Sequence, residues 1–186
     1  MAHWMVAADE INYRRFFDIN DLVAIRMEDP QVFAYCHRLV FRLIGEGKVH
    51  GLRIDHPDGL YDPPTYLRRL QKNFLTGLAL RVERPPRPED LEAALESPEF
   101  RNATPLLVVT EKILDRKEAL PEIWCAHGTG GYDFLNALNG LFIDQGGEKA
   151  FTALYEDFIG DKMDFDELVY AKKKRFALLQ MASELE

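Results

Sequence analysis

Two short apolar runs, "KVHGLRID" at 48–55 and "PLLVVTEKI" at 105–113, each follow a helix-patterned stretch and each carry a carboxylate at or near their end. This alternation constrains the fold more than any other feature. Strands separated by so much intervening chain do not close a hairpin. They pair in parallel, with amphipathic helices as the crossovers.

The helices have their own start and stop signals. In "EDPQVFAYCHRLVFRLIGEG", Asp29 is placed to cap and Pro30 suits the first turn. Val32, Phe33, Cys36, Leu39, Val40, Leu43 and Ile44 recur at helical spacing, and Gly45 and Gly47 end the pattern. A second helix is predicted after Asp62 and Pro63, with Tyr66, Leu67, Leu70, Phe74 and Leu78 inward. "RVERPPRPEDLEAALESPEFRNATP" is rich in proline and charge, and reads as a surface excursion with one short helix near Asp90 to Leu95. Beyond Trp124 the pattern turns helical: "GTGGYDFLNALNGLFID", "EKAFTALYEDFIG" and "FDELVYAKKKRFALLQMASEL" all predict helices. The expected class is α/β, with a partial parallel barrel segment of about two strands over 1–127 and a helical segment over 128–186.

Side chains alternate across a strand, so Gly51, Arg53 and Asp55 share one face while Leu52 and Ile54 take the other. Leu107, Val109 and Glu111 share a face in the second run. In a parallel barrel the C-terminal strand ends carry the chemistry. Asp55 and Glu111 would then meet there as a carboxylate pair, the arrangement that glycoside chemistry uses. Arg53 lies on the side of Asp55, and a guanidinium favours an ionised carboxylate. Apolar residues before Glu111 suit a group that holds a proton to donate. A carboxylate at a strand end is also a common cap or turn former, and both readings stand on these residues alone. His56 and Asp58 lack a third partner at metal-ligand spacing, so no metal site is expected.

The formal net charge is −8, which disfavours nucleic acid and anionic lipid as partners. Lys172, Lys173, Lys174 and Arg175 sit in a helical pattern and read as a solvated face. The two cysteines, Cys36 and Cys125, match neither a zinc pattern nor a disulfide framework. No apolar run approaches the ~18 residues of a membrane span, and the opening residues lack signal-peptide form. A cytoplasmic protein without a membrane partner is expected.

At the two strand tips the sequence resembles the maltooligosyl trehalose synthases, a family of the α-amylase superfamily (glycoside hydrolase family 13). The likeness is carried by "INYRRFFDINDLVAIRMEDPQVF", "GKVHGLRIDHPDGLYDPPTYLRRL", "VVTEKILDRKEALPEIW" and "GTGGYDFLN", in that order. It departs at Gly130, where the family usually has a second threonine. The resemblance implies Asp55 as nucleophile, Glu111 as general acid/base and Arg53 as the arginine accompanying the nucleophile. It makes His56, Lys112, Tyr132 and Asp133 candidates for sugar contacts. It implies a maltooligosaccharide substrate, isomerisation of the reducing-end α-1,4 linkage to an α,α-1,1 linkage, no redox cofactor and no catalytic metal.

A complete barrel takes roughly 200 residues or more. No "DxxxNH" region precedes Ile11 and no "HD" strand follows Asn136. The expectation is an interior segment of a larger enzyme, inactive alone and prone to self-association through open strand edges. A hydrolytic amylase relative and a non-catalytic glycan-binding module are the rival readings.

Overall fold

The computed structural model describes residues 3–7, 10–101, 103–115, 117–162 and 164–185. In chain order its regular elements are β1 (Arg15–Phe16), β2 (Ile19–Val23), α1 (Pro30–Gly45), β3 (Gly51–Ile54), α2 (Pro63–Ala79), α3 (Pro88–Leu95), α4 (Pro98–Arg101), β4 (Leu107–Thr110), α5 (Tyr132–Gly140), α6 (Glu148–Ile159), α7 (Phe165–Leu179) and α8 (Ala182–Leu185). They divide into two units, one of Arg26–Gly140 and one of Met1–Ile25 with Leu141–Glu186.

In the first unit both long helices begin as their caps dictate. The Asp29 carboxylate accepts from the N–H groups of Gln31 and Val32, and that of Asp62 accepts from Thr65 N–H. Each satisfies a helix donor that has no partner within the helix. Pro30 and Pro63 occupy first-turn positions where the missing N–H costs nothing. At its C-terminal end α1 passes into Gly47 at φ +70°, a left-handed conformation that glycine adopts without a Cβ penalty.

β3 and β4 pair in parallel, Gly51 with Leu107, Leu52 with Val108, Arg53 with Val109 and Ile54 with Thr110. One face of this pair is covered. Phe33 of α1, Leu67 and Leu70 of α2, Leu106, Val108 and Trp124 form the buried core, and Leu52, Ile54, Tyr66 and Phe74 pack against it. The two-stranded parallel sheet and the mainly helical remainder have the form of a partial (β/α) barrel.

Helical periodicity misassigns three positions. Leu39 and Leu78 are exposed, while His37 is buried in α1. The His37 ring stacks on Phe33 at a centroid distance of 4.1 Å. Its Nδ1 lies 2.8 Å from the Phe33 carbonyl, which can only accept, so Nδ1 carries the proton and Nε2 accepts from the Tyr66 hydroxyl at 2.9 Å. A histidine whose two nitrogens are both satisfied packs like an aromatic.

Gln71 of α2 is also buried. Its Nε2 donates to the carbonyls of Leu106 (2.9 Å) and Cys125 (3.0 Å), and its Oε1 accepts from Leu106 N–H at 2.9 Å. One amide thus ties α2 to the residue that leads into β4.

The second unit contains a hairpin that the sequence patterns do not announce. β1 and β2 are antiparallel, with Phe17 at φ +52° in the turn. The buried Arg15 guanidinium pairs with Glu184 of α8, donates to Asn20 Oδ1 and donates to the Gln180 carbonyl at 2.9 Å. Ser183 Oγ donates to the Ala7 carbonyl at 2.8 Å. Among the described residues no helix is long and apolar enough to cross a membrane.

Candidate active site

The parallel register carries past the last strand pair. Glu111 N–H donates to the Ile54 carbonyl at 2.7 Å, so the ladder runs to the tips where Asp55 and Glu111 stand. Leu52, Ile54, Val108 and Thr110 turn to the helices or are buried. Alternation sends Arg53, Asp55, Leu107, Val109 and Glu111 to the other, open face. Leu107 is 51% exposed there, which fits a face built to line a barrel interior.

Arg53 Nη1 is 2.6 Å from Asp55 Oδ1, and both side chains are more than half exposed. Each Glu111 oxygen has its own donor. Oε1 accepts from the Tyr132 hydroxyl at 2.8 Å and Oε2 from His56 N–H at 3.2 Å. A carboxylate held at both oxygens has one orientation. The Tyr132 phenol is pushed above its ordinary range, first by its hydrogen bond to Glu111 and then by the Glu111 charge; Asp55 adds to this and Arg53 opposes it. The tyrosine therefore senses Asp55, Glu111 and Arg53 together.

Tyr132 arrives by a route that local patterns do not reveal. Residues 127–130 run beside β4. His127 N–H donates to the Val108 carbonyl (2.7 Å), Thr110 N–H to that of Gly128 (2.9 Å) and Gly130 N–H to that of Thr110 (2.8 Å), with a parallel bridge between Thr110 and Thr129. A third extended segment thus follows the two strands. Gly131 at φ +104° then turns the chain into α5, whose first residue is Tyr132. A Cβ added at Gly130 would lie 3.5 Å from Arg53 Nε and 3.6 Å from the Thr110 carbonyl, ordinary contact distances.

The remaining sequence candidates are engaged elsewhere. Asp133 Oδ2 accepts from Thr129 Oγ1 at 3.0 Å. The Lys112 side chain is 11% exposed, and its ammonium pairs with Glu118 at 2.8 Å and Asp58 at 3.2 Å. The Glu118 hydrogen bond is the main cause that raises Lys112, and the same contact lowers Glu118. Arg53, His56 and Tyr132 thus adjoin the two carboxylates, while the charges of Lys112 and Asp133 are already partnered. Among the described residues no group of three or more His, Cys, Asp or Glu side chains is placed to hold a metal ion.

Parallel strands with helices on one face and acidic groups at the C-terminal tips of the other have the form of a segment of a (β/α) barrel. No protein-family model matches the chain. A Mycobacterium tuberculosis protein provisionally named maltooligosyl trehalose synthase is 36% identical over 173 residues, covering 93% of this chain and 19% of that protein. The maltooligosyltrehalose synthase of Arthrobacter ramosus superposes with a TM-score of 0.77 at 35% identity, over 97% of this chain and 20% of that one. A Sulfolobus tokodaii structure described as a hypothetical maltooligosyl trehalose synthase gives 0.70 at 32% identity, over 95% of this chain and 20% of that one. The chain is homologous at the family level to the maltooligosyl trehalose synthases of the α-amylase family, and it spans about a fifth of the length of the relatives it matches.

Proposed function

We propose that this chain supplies the nucleophile and the general acid/base of a retaining transglycosylase that isomerises the reducing-end α-1,4 linkage of a maltooligosaccharide to an α,α-1,1 linkage. The supporting observation is the pairing of β3 with β4, whose ladder ends at Asp55 and Glu111. Neighbouring strands lie ~4.8 Å apart, close to the ~5–5.5 Å that separates the two carboxyl groups of retaining glycosidases.

In this reading the Asp55 carboxylate attacks the anomeric carbon of the penultimate glucose. The bond from that carbon to the bridging oxygen breaks, and its electron pair leaves with the oxygen, which takes the proton of Glu111. The freed glucose stays and turns. Its anomeric hydroxyl attacks the glycosyl–Asp55 ester, gives its proton to Glu111 and releases Asp55. Two displacements leave the configuration retained. Tyr132 and His56 N–H hold Glu111 in place through both proton transfers, and Arg53 holds Asp55.

The second displacement requires that water stay out while a loose glucose remains. Asp55 is exposed in this chain and the acidic face of the sheet is open, so the 186-residue chain alone is expected to give no turnover. β3 pairs with β4 alone among the described residues, and self-association through its other edge is expected at high concentration.

The test is a chimera in which this chain replaces the matching fifth of the Arthrobacter ramosus enzyme, assayed on maltopentaose. Reducing ends are expected to fall without release of glucose. Glu111→Gln is expected to lower kcat by about 10²–10⁴-fold, the range for a lost general acid/base. Rising reducing ends would instead establish a hydrolase. Activity that survives Asp55→Asn would overturn the assignment of the nucleophile.

A further inference from the structure

Lys112 follows Glu111 directly, and its ammonium pairs with Glu118 at 2.8 Å and with Asp58 at 3.2 Å. Asp58 lies in the short 3-10 turn Pro57–Gly59, which begins immediately after His56. Two links therefore join the same two loops side by side. His56 N–H meets the Glu111 carboxylate, and Asp58 meets Lys112.

His56 needs such support. Its φ of +45° and ψ of +50° put a residue with a full side chain in the left-handed region. Conformations of that kind persist only where the surroundings over-determine them. Upstream, Ile54 is held by its pairing with Thr110 and by the Glu111 N–H that its carbonyl accepts. Downstream, Pro57 is buried, and the turn closes through Gly59 N–H to the His56 carbonyl at 3.1 Å and Leu60 N–H to the Pro57 carbonyl at 3.0 Å. The ion pair between Asp58 and Lys112 ties the turn to the β4 side.

Glu118 is itself anchored. Its N–H donates to the Asp115 carbonyl at 3.0 Å, and its Oε2 accepts from Asp115 N–H at 3.2 Å. The ammonium is thus fixed from the β4 side by one carboxylate and grips the β3 side through the other.

We infer that Lys112 is a positioning residue: through its ion pairs with Asp58 and Glu118 it sets the His56 turn so that the His56 N–H orients the Glu111 carboxylate. This rests on the reading of Glu111 as the acid/base, but the geometric part stands or falls without turnover. Lys112 then contributes to proton transfer without touching sugar, because a carboxyl that loses one of its two donors is free to rotate about its terminal bonds.

The test uses the intact 186-residue chain and amide NMR from about pH 3 to pH 8, which spans carboxyl titration. In the unsubstituted chain a pH-dependent step in the His56 amide shift is expected from its hydrogen bond to Glu111, and Glu111→Gln is expected to remove that step and so identify it. Lys112→Met is expected to shrink the step at least about twofold, since a hydrogen bond weakens steeply once its alignment is lost. Lys112→Arg is expected to restore it. The amides of Leu67 and Val108 in the core are expected to stay where they are, which separates a positioning role from general unfolding. If Lys112→Met does not fold, Asp58→Asn decides: a reduced His56 step supports the inference and a full one overturns it. An undiminished step in a folded Lys112→Met chain, with Glu111→Gln abolishing it, overturns the role of Lys112 while leaving the proposed function intact. In the chimera, a loss of kcat on Lys112→Met at unchanged KM supports the inference, and a rise in KM alone overturns it in favour of a sugar contact.

Discussion

Replacing Gln71 by leucine tests whether a single buried amide holds β4 to α2. The substitution nearly conserves volume, so it removes hydrogen bonds without opening a large cavity. Three bonds go: those to the carbonyls of Leu106 and Cys125 and that from Leu106 N–H. Gln71 is 2% exposed, so water has no ready access to replace them. A buried donor left alone costs about 1–3 kcal/mol, and a carbonyl, with its second lone pair, costs less. Burying an isobutyl group instead of an amide returns about 1 kcal/mol. The net expectation is a loss of roughly 1–3 kcal/mol. With a urea slope of about 2 kcal/mol per molar, the midpoint falls by ~0.5–1.5 M. The assay is urea unfolding followed by the fluorescence of Trp124, which lies in the same core. A Trp4→Phe background removes the other indole. A midpoint shift below ~0.2 M at unchanged slope would refute the claim that this amide anchors the strand.

Other outcomes follow from the same geometry. Burial holds the His37 imidazole below its ordinary range, against a smaller raising effect of the Phe33 carbonyl, and pushes the Tyr66 phenol up to about 12. The neutral ring's stabilisation is then complete above the unfolded value of about 6.5 and is lost as pH falls through the lower folded value. His37→Phe is expected to flatten that acid limb in urea midpoints measured from pH 7 to pH 5; an unchanged limb would assign it to other groups. Tyr132 is expected to ionise above an ordinary tyrosine in an ultraviolet titration, and Glu111→Gln is expected to lower its midpoint, because the hydrogen bond to Glu111 is the first cause of the shift. Gly130→Thr is expected to change stability by no more than about 0.5 kcal/mol, since a Cβ there meets Arg53 Nε and the Thr110 carbonyl at ordinary distances; a large loss in thermal unfolding would show that the loop requires glycine.

The two anchoring helices and both core strands are legible in the residues because their causes are local. A carboxylate three residues ahead of an N–H, a proline in a first turn and an apolar stripe at helical spacing act within a few residues. Asp29 and Asp62 accordingly cap α1 and α2. Period-two alternation likewise separates the faces of "GLRID" and "LVVTE", so a parallel pairing in register brings Asp55 and Glu111 to neighbouring tips. The family resemblance assigns roles to these carboxylates, which periodicity alone does not do.

What periodicity misses depends on residues far apart in the chain. Gln71 and Lys72 are adjacent, amphipathic and alike to any pattern; α2 buries the first against Leu106 and leaves the second pairing with Glu92 at 2.5 Å. His37 enters the core in place of Leu39 because the Tyr66 hydroxyl, 29 residues away, supplies the bond that makes a buried imidazole tolerable. Lys112 gains an ion-pair partner that no local pattern shows, because Asp58 stands 54 residues earlier. Local chemistry sets which segments coil and which extend, since their hydrogen bonds close within the segment or repeat at a fixed period. Which polar side chains are satisfied, and by what, is a property of the packed chain, because burial makes the missing partner costly and only the fold brings that partner within reach.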